Sequence, residues 1–400
     1  MAGITGIGTT FGLPNYHGEL IQVTPYDTPL LSAAGGLSGG GATTSPTFEW
    51  QFEDLRSPDI RPRLEGAAAP TSEERVRSNV FNVAQIFHES IETSYTKQAA
   101  TGQYSTPGAA PFYAASGESN PVVDEHGHQT ANALKTIATD VNYTFWHGKK
   151  VQPTDNTTAR QMAGLQSVIV SNRSVQGTEI VNATTATDTI TGTHSLSVGD
   201  KVVFTNNGGL STVREDRIYY VQSVSTTVSF KVAATSGGAA ITIGTGTVSV
   251  VKAGTAITVD ILGAFMQGVF DNGGISQTET ATLFVSSRQK RALTAAYASA
   301  YRQADPFNNT RNVGGLSLNT IETDFGLLNL VIDRALAPDT IALVGLEQIA
   351  PVFLDIPGKG VLFEEDLAKT GSSIKSQIYG EIGLKYGNER EHGILRGLLV

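Results

Sequence analysis

Phe48, Trp50 and Phe52 alternate with Glu49, Gln51 and Glu53, so the chain from Thr47 reads as a strand with one apolar face. Pro58, Pro62, Gly66 and Pro70 then interrupt any regular element. A second strand is predicted over about 76–95. Val80, Ala84 and Ile86 mark one face, and Phe81, Val83, Phe87 and Ile91 the other. The two strands make a hairpin with a very long, charged tip. A lone hairpin is marginal in water, so apolar residues on both faces call for cover from elsewhere.

Residues 1–45 read as an extended arm, too rich in Gly, Pro and Thr for regular elements. A short helix is expected from Pro29, including Leu30 and Leu31, with the glycine run at 35–41 as a flexible joint. Residues 98–118 are again rich in Gly, Pro and Ala. A helix is predicted over about 121–147, with Asn120 as N-cap, Pro121 first, and Asp124 and Glu125 in its first turn. Leu134, Ile137, Ala138, Val141 and Phe145 give it one apolar stripe. It would run roughly 40 Å, the length of a spine rather than of an ordinary helix.

Between 174 and 255, Thr, Val, Ser and Gly dominate, and short strands are broken by Gly, Asn and Ser turns. This reads as a small all-β module. Its flanks, 159–170 and 258–270, carry helical or mixed patterns, so the module interrupts a larger domain. The last third is α/β. It predicts an apolar helix over 260–270, a buried strand over 282–285 and a helix from a Ser287 cap to Arg302. Strands follow at 327–332, 340–344 and 374–386. There is no internal repeat and no heptad run.

The 400 residues allow two or three domains, and a hydrophobic share of 40% supports a real core. The net charge is −9, with Lys and Arg scattered, so a sequence-specific grip on nucleic acid is not expected. The absence of cysteine excludes disulfides, thiolate metal sites and cysteine nucleophiles, and fits folding in a reducing cytoplasm. The opening MAGITGIGTTFGLPNYHG has no basic segment before an apolar run, so no secretory signal is expected. The glycosylation sequons at Asn142, Asn156, Asn172, Asn182 and Asn308 then read as chance matches. No stretch approaches about 20 apolar residues, so no membrane-spanning helix is expected.

Candidate chemistry is sparse. Gly3, Gly6 and Gly8 stand in the order GxxGxG, with no strand before and no helix after, so they do not make a dinucleotide site. The 35–41 glycines lack the following Lys-Ser or Lys-Thr of a phosphate loop. In the DEHGH run, His126 and His128 are two apart on a predicted helix and do not share a face. His17, His88, His147, His194 and His392 have no partner at a recognisable spacing. Glu364, Glu365 and Asp366 read as a solvated turn or helix start. Glycosidase chemistry would need two carboxylates facing across a cleft. Ser286 and Ser287 lie in VSSRQ, which is not a nucleophile elbow. No catalytic residue, metal or cofactor is predicted, and no enzyme activity.

The charged tip is the exception. Arg56, Arg61, Arg63, Arg75 and Arg77 interleave with Glu53, Asp54, Asp59, Glu65, Glu73 and Glu74. They are either a solvated tip or a row that pairs with charges on a neighbouring subunit. Arginine suits bidentate interface pairs, and a tip this long without its own core favours the second reading. The inter-subunit interface candidates are therefore Phe48, Trp50, Phe52, Arg56, Asp59, Arg61, Arg63, Glu65, Arg75 and Arg77.

The order of parts and several stretches carry a resemblance. They are GITGIGTTFGLPNYHGEL, TPYDTPLLSAAGG, FEWQFEDLR with RVRSNVFNVAQIFHESIETSYTKQAATG, ATLFVSSRQKRAL, IETDFGLLNLVIDRALAPDTIALV and GSSIKSQIYGEIGLKYGNEREHGILRGL. Together they resemble tailed-phage major capsid proteins of the Hong Kong 97-type fold, over most of the chain outside 174–255. The resemblance implies an α+β shell subunit with an N-terminal arm (1–45) and an extended hairpin loop over the adjacent subunit (46–97). A peripheral domain with the spine helix (98–173), an axial domain (256–345) and a C-terminal return to the axial/peripheral domain (346–400) complete the expected order. The inserted all-β domain (174–255) resembles modules that decorate the outer face of such shells.

The implied role is structural: a major capsid subunit, assembled in the host cytoplasm, that builds the icosahedral shell around double-stranded DNA. The implied partners are copies of itself in hexamers and pentamers, a portal, and scaffold or decoration proteins, with no membrane. Some relatives cross-link through Lys and Asn, but no motif here places those residues. The alternatives are an encapsulin-like nanocompartment shell with protein cargo, or a tail-associated glycan-binding protein acting through the β module.

Overall fold

The computed structural model describes residues 23–56, 58–72, 75–97, 125–225, 228–275, 280–304, 319–369 and 371–400. The arm before residue 23, the Gly3/Gly6/Gly8 pattern, Glu73, Glu74, the 98–118 stretch and the Asn120–Pro121 helix start lie outside the described residues. Helix and strand are mixed along the rest. In chain order, α1 (Pro29–Ala33) is followed by β1 (Gly41–Thr43), β2 (Thr47–Phe52), β3 (Ser78–Val83), β4 (Gln85–Ser94), α2 (Glu125–His147) and α3 (Leu165–Val168). Next come β5 (Arg173–Val175), β6 (Glu179–Ala186), β7 (Thr189–Thr191), β8 (Lys201–Asn206), β9 (Ile218–Ser225), β10 (Ser229–Ala233) and β11 (Gly246–Lys252). The remainder is α4 (Val259–Asp271), β12 (Thr280–Val285), α5 (Ser287–Ala304), β13 (Thr320–Thr323), β14 (Gly326–Ile332), β15 (Ile341–Val344), β16 (Ala350–Leu354), β17 (Leu362–Asp366), β18 (Ser373–Lys385) and β19 (Gly393–Arg396).

Local chemistry explains several boundaries. Pro29 opens α1, where its fixed φ and missing N–H suit a first turn, and the helix buries Leu30 and Leu31. Thr258 caps α4 by accepting the Ile261 N–H at 3.2 Å. Leu262, Phe265, Met266 and Val269, spaced by three, one and three, form its buried stripe. The α5 cap is Ser286 rather than Ser287, its hydroxyl accepting from the Gln289 N–H at 3.4 Å. On α2, Ile137, Val141 and Phe145 are buried as the stripe predicts, whereas Leu134 stays 36% exposed.

The chain divides into two compact units. Of the described residues, the first holds 23–26, 88–97, 125–137 and 363–379, and the second holds 27–87, 138–362 and 380–400. In the first unit, β4 and β17 both pair with β18. The Tyr95 N–H donates to the Ser372 carbonyl at 3.1 Å, and Ser373 and Lys375 both reach the Glu92 carboxylate.

The second unit contains a six-stranded mixed sheet in the order β13-β14-β12-β15-β19-β5. Phe265, Met266 and Leu293 from α4 and α5 share one core with Leu283, Val285, Leu343 and Leu395 of that sheet. Residues 179–252 form a closed barrel in the order β10-β7-β6-β11-β8-β9. Phe204, Tyr219, Phe230 and Val250 fill its interior. Here too β1 runs parallel to β16, and β16 antiparallel to β18.

Four further expectations change. The single strand expected over 76–95 is two: β3 pairs with β2, its ladder ending where the Ala84 N–H donates to the Pro46 carbonyl at 2.8 Å, and β4 beyond Ala84 pairs with β18 instead. Only β3 belongs to the hairpin. Glu364, Glu365 and Asp366 are not a turn or helix start: they lie on β17, where alternation lets Glu364 and Asp366 face outward while Glu365 is half-buried. The 159–170 stretch holds only the four-residue α3. The glycine joint ends in a strand, β1, whose parallel ladder is made by backbone alone.

Candidate functional site: a ribbon and its arginine-rich loop

β2 and β3 pair antiparallel from Thr47 opposite Val83 to Phe52 opposite Ser78. Both ends of this ribbon differ in kind. Its base is anchored within the second unit. Trp50 lies edge-on to Tyr386, with centroids 4.7 Å apart at 87°. Phe48 stacks beside Trp50 at 6.1 Å. Its ring also fits over Gly383: a Cβ there would come 2.4 Å from Phe48 Cε1. Asn82, fully buried, donates to the carbonyls of Leu384 (2.7 Å) and Ala163 (3.2 Å) and accepts from the Ala163 N–H. The rings of Phe48 and Trp50, expected on a neighbour, thus rest on their own chain. Phe52 is half-buried at the outer end of the ladder.

Beyond Phe52 and before Ser78 the described chain has no helix or strand, and every side chain is exposed. Leu55, Ile60, Leu64 and Val76 are 82%, 90%, 85% and 83% exposed. Four apolar side chains this bare on one segment are unusual for a loop that ends in water. Among the described residues the charges make several contacts of their own. Arg61 lies 3.9 Å from Asp59, and Arg77 lies 3.9 Å from Glu53. Arg63 donates to the Ala68 carbonyl at 3.3 Å. Glu65 sits in the turn at Glu65 and Gly66. Pairs this exposed contribute little to stability. Arg56, Arg61, Arg63 and Arg75 share a concavity of about 770 Å³ with Leu55 and Pro70. The structure therefore brings together four of the five arginines singled out in the sequence, while Arg77 stays at the ribbon's end.

The remaining candidates have local partners. His126 bonds Ser376 Oγ at 3.0 Å and Thr93 Oγ1 at 3.3 Å, and His128 bonds Asn132 at 3.0 Å. Two polar hubs had no sequence signal. Asp333, fully buried, accepts from Trp146 Nε1 (2.8 Å), the Ala335 N–H (2.8 Å) and Asn142 Nδ2 (3.3 Å). Asn142 in turn accepts the Leu31 N–H at 3.0 Å, which ties α1 to α2. Burial pushes the Asp333 carboxyl up, outweighing those hydrogen bonds. Glu215, 3% exposed, accepts from Lys149 Nζ (2.7 Å), the Asn207 N–H (2.9 Å) and His147 Nδ1 (3.2 Å). Burial alone would raise its carboxyl; His147 and Lys149 outweigh that and hold it at about 2. Both hubs tie separate segments together: Asp333 joins its own loop to α2, and Glu215 joins the end of α2 to the segment after β8.

The family model for the SU10 major capsid protein matches residues 3–399. The chain belongs to that family. This capsid protein is a structural subunit of a phage capsid shell in the virion, and its family is a structural one rather than an enzyme class. Comparison with curated proteins finds no match. Among solved structures, the cyanophage A-1(L) capsid asymmetric unit is similar with a TM-score of 0.55 at 12% identity, covering 96% of this chain and 97% of that one. The cyanophage P-SCSP1u capsid gives 0.49 at 9% identity, over 97% and 93%. The holo-SrpI encapsulin complex from Synechococcus elongatus PCC 7942 gives 0.46 at 8%, over 96% and 92%. The first of these establishes a phage-capsid fold across the capsid protein.

Proposed function

We propose that this subunit assembles into hexamers and pentamers of a Hong Kong 97-type icosahedral shell, and that its 53–77 loop lies over the adjacent subunit. The observation that carries this is the contrast along the ribbon. Its base is seated on the chain's own Tyr386 and Gly387, while its tip holds four apolar side chains at least 82% exposed and has no core. Such a tip becomes favourable when a neighbour covers it, at about 25 cal/mol per Å² of apolar area buried. Repeated around a closed shell, modest contacts of this kind add up.

In this reading residues 1–45 are the arm, α2 is the spine helix, 256–345 is the axial domain, and 98–173 with 346–400 make the peripheral side. The 174–255 module is an insertion on the outer face. The shell encloses double-stranded DNA without reading its sequence, which suits a chain of net charge −9. Portal and scaffold or decoration proteins complete the assembly in the host cytoplasm. The test is electron microscopy of the purified protein and of a variant with residues 53–77 replaced by a short turn. The expected result is icosahedral particles from the first and soluble, unassembled subunits from the second. Normal particles from the shortened variant would sink the role given to the loop. Particles that package protein instead of DNA during infection would move the shell to the nanocompartment class.

A further inference from the structure

Two features in different units of the chain are complementary in charge. The first is the concavity lined by Arg56, Arg61, Arg63 and Arg75. Among the described residues, the one bond of Arg63 goes to a carbonyl, Ala68 O, leaving most of its five donors for another partner. The second is the acidic strand β17. Glu364 accepts from Thr130 Oγ1 at 3.2 Å and lies 3.8 Å from His126 Nε2, yet its side chain stays 44% exposed. Asp366 is exposed, and among the described residues its carboxylate has no hydrogen-bond or ion-pair partner. Glu364 and Asp366 are two apart on a strand, so they share one face about 6.6 Å apart. Arg61 and Arg63 are also two apart, and both face the concavity.

We propose that the arginine concavity of one subunit docks on strand β17 of a second copy, with Arg61 and Arg63 meeting Glu364 and Asp366. This rests on the reading that the loop lies over a neighbouring subunit, and names the surface it meets. Arginine forks match carboxylates bidentately, which fixes register along the strand. The exposed Leu55, Ile60 and Leu64 supply the apolar area that exposed ion pairs alone cannot. A phosphate backbone is the other anion four arginines could hold, but Asp59 and Glu65 interleave with them and repel it.

The chain contains no cysteine, so an engineered pair has no background. The experiment assembles shells from a variant carrying both Arg63→Cys and Asp366→Cys, treats them with a bismaleimide cross-linker long enough to span an arginine–carboxylate pair, and runs denaturing gels. The expected result is a ladder of covalently linked subunits from assembled shells, absent from either single-cysteine variant. Shells that form but show no ladder would overturn the pairing. Should that variant fail to assemble, a charge swap decides. Arg63→Asp alone should lower shell yield more than tenfold, and adding Asp366→Arg should restore it to within about twofold; no restoration overturns the proposal. Arg63→Asp shells that form normally yet fail to retain DNA would assign the concavity to phosphate instead. The shortened-loop variant separates the two readings. If it blocks assembly while the ladder is missing, the loop still covers a neighbour but not through β17.

Discussion

Trp50 donates its indole N–H to the carbonyl of Gly387 across 3.0 Å, joining strand β2 to the turn that follows β18, 337 residues later. The same ring packs edge-on to Tyr386. The ribbon is therefore held at its base by one aromatic residue with a polar tip, a combination suited to a site that is neither core nor water. Trp50→Phe keeps an aromatic ring but leaves the Gly387 carbonyl without that donor. The expected cost is about 1 kcal/mol in the stability of the unassembled subunit. Faster amide exchange at Asn79 to Val83 should accompany it, read by mass spectrometry. Unchanged exchange would mean the base is held by the backbone ladder alone.

Gly383 marks where β18 admits the ribbon. A methyl group there would meet Phe48 Cε1 at 2.4 Å and the Val83 carbonyl at 3.1 Å. The ring could swing away, but the carbonyl belongs to the buried end of β3. Gly383→Ala should destabilise the subunit by about 1–3 kcal/mol, the usual range for overpacking. The companion Phe48→Leu should recover part of that loss, because a smaller side chain frees the space. Thermal unfolding of the single and double variants measures both.

Much of the fold was legible because the signal was periodic. The apolar spacing in α4 and the alternation in β2 placed those elements nearly to the residue, and Pro29 marked the start of α1. What was hidden lacks periodicity. β1 is Gly41, Ala42 and Thr43, and offers almost no side chains to read. β17 ends in three acids, a composition that reads as a turn until one sees that it pairs with β18. The break at Ala84 was missed because apolar residues continue on both sides of it. At the site, the arginines were visible as a charge run. The seating of Trp50 on Tyr386 and Gly387, and the meeting of Asn142 with Asp333 across 191 positions, are long-range facts that no local window holds.

The Glu215 hub predicts acid sensitivity. Its carboxyl is held at about 2, below the ordinary 4.5, so the stabilisation is fully present above pH 4.5 and is lost as pH falls through about 2. The shift corresponds to about 3 kcal/mol. Glu215→Gln should therefore be less stable than the parent at pH 6, with the gap closing between pH 4.5 and 2. Urea unfolding of the unassembled subunit across that range checks it. A gap independent of pH would mean that lost packing, not charge, causes the difference.

Asp333 should show the opposite slope. Its carboxyl is raised by burial, so its contribution is greatest below the ordinary 3.8 and declines as pH rises through the folded value. The groups that bond it are donors: Trp146 Nε1, Asn142 Nδ2 and the backbone N–H groups of Ala335 and Leu30. Asp333→Asn keeps one acceptor oxygen but turns an NH₂ group toward those donors, leaving at least one buried N–H unpaired. That costs about 1–3 kcal/mol. Because asparagine does not titrate, the variant lacks the parent's decline with pH. The deficit should be largest near pH 3 and narrow toward pH 7. The same variant should loosen α1, since Asn142 holds the Leu31 N–H only while Asp333 fixes its amide. Proteolysis within the Pro29–Ala33 helix should therefore speed up together with the loss of stability, and a stability loss without faster cleavage would separate the two roles.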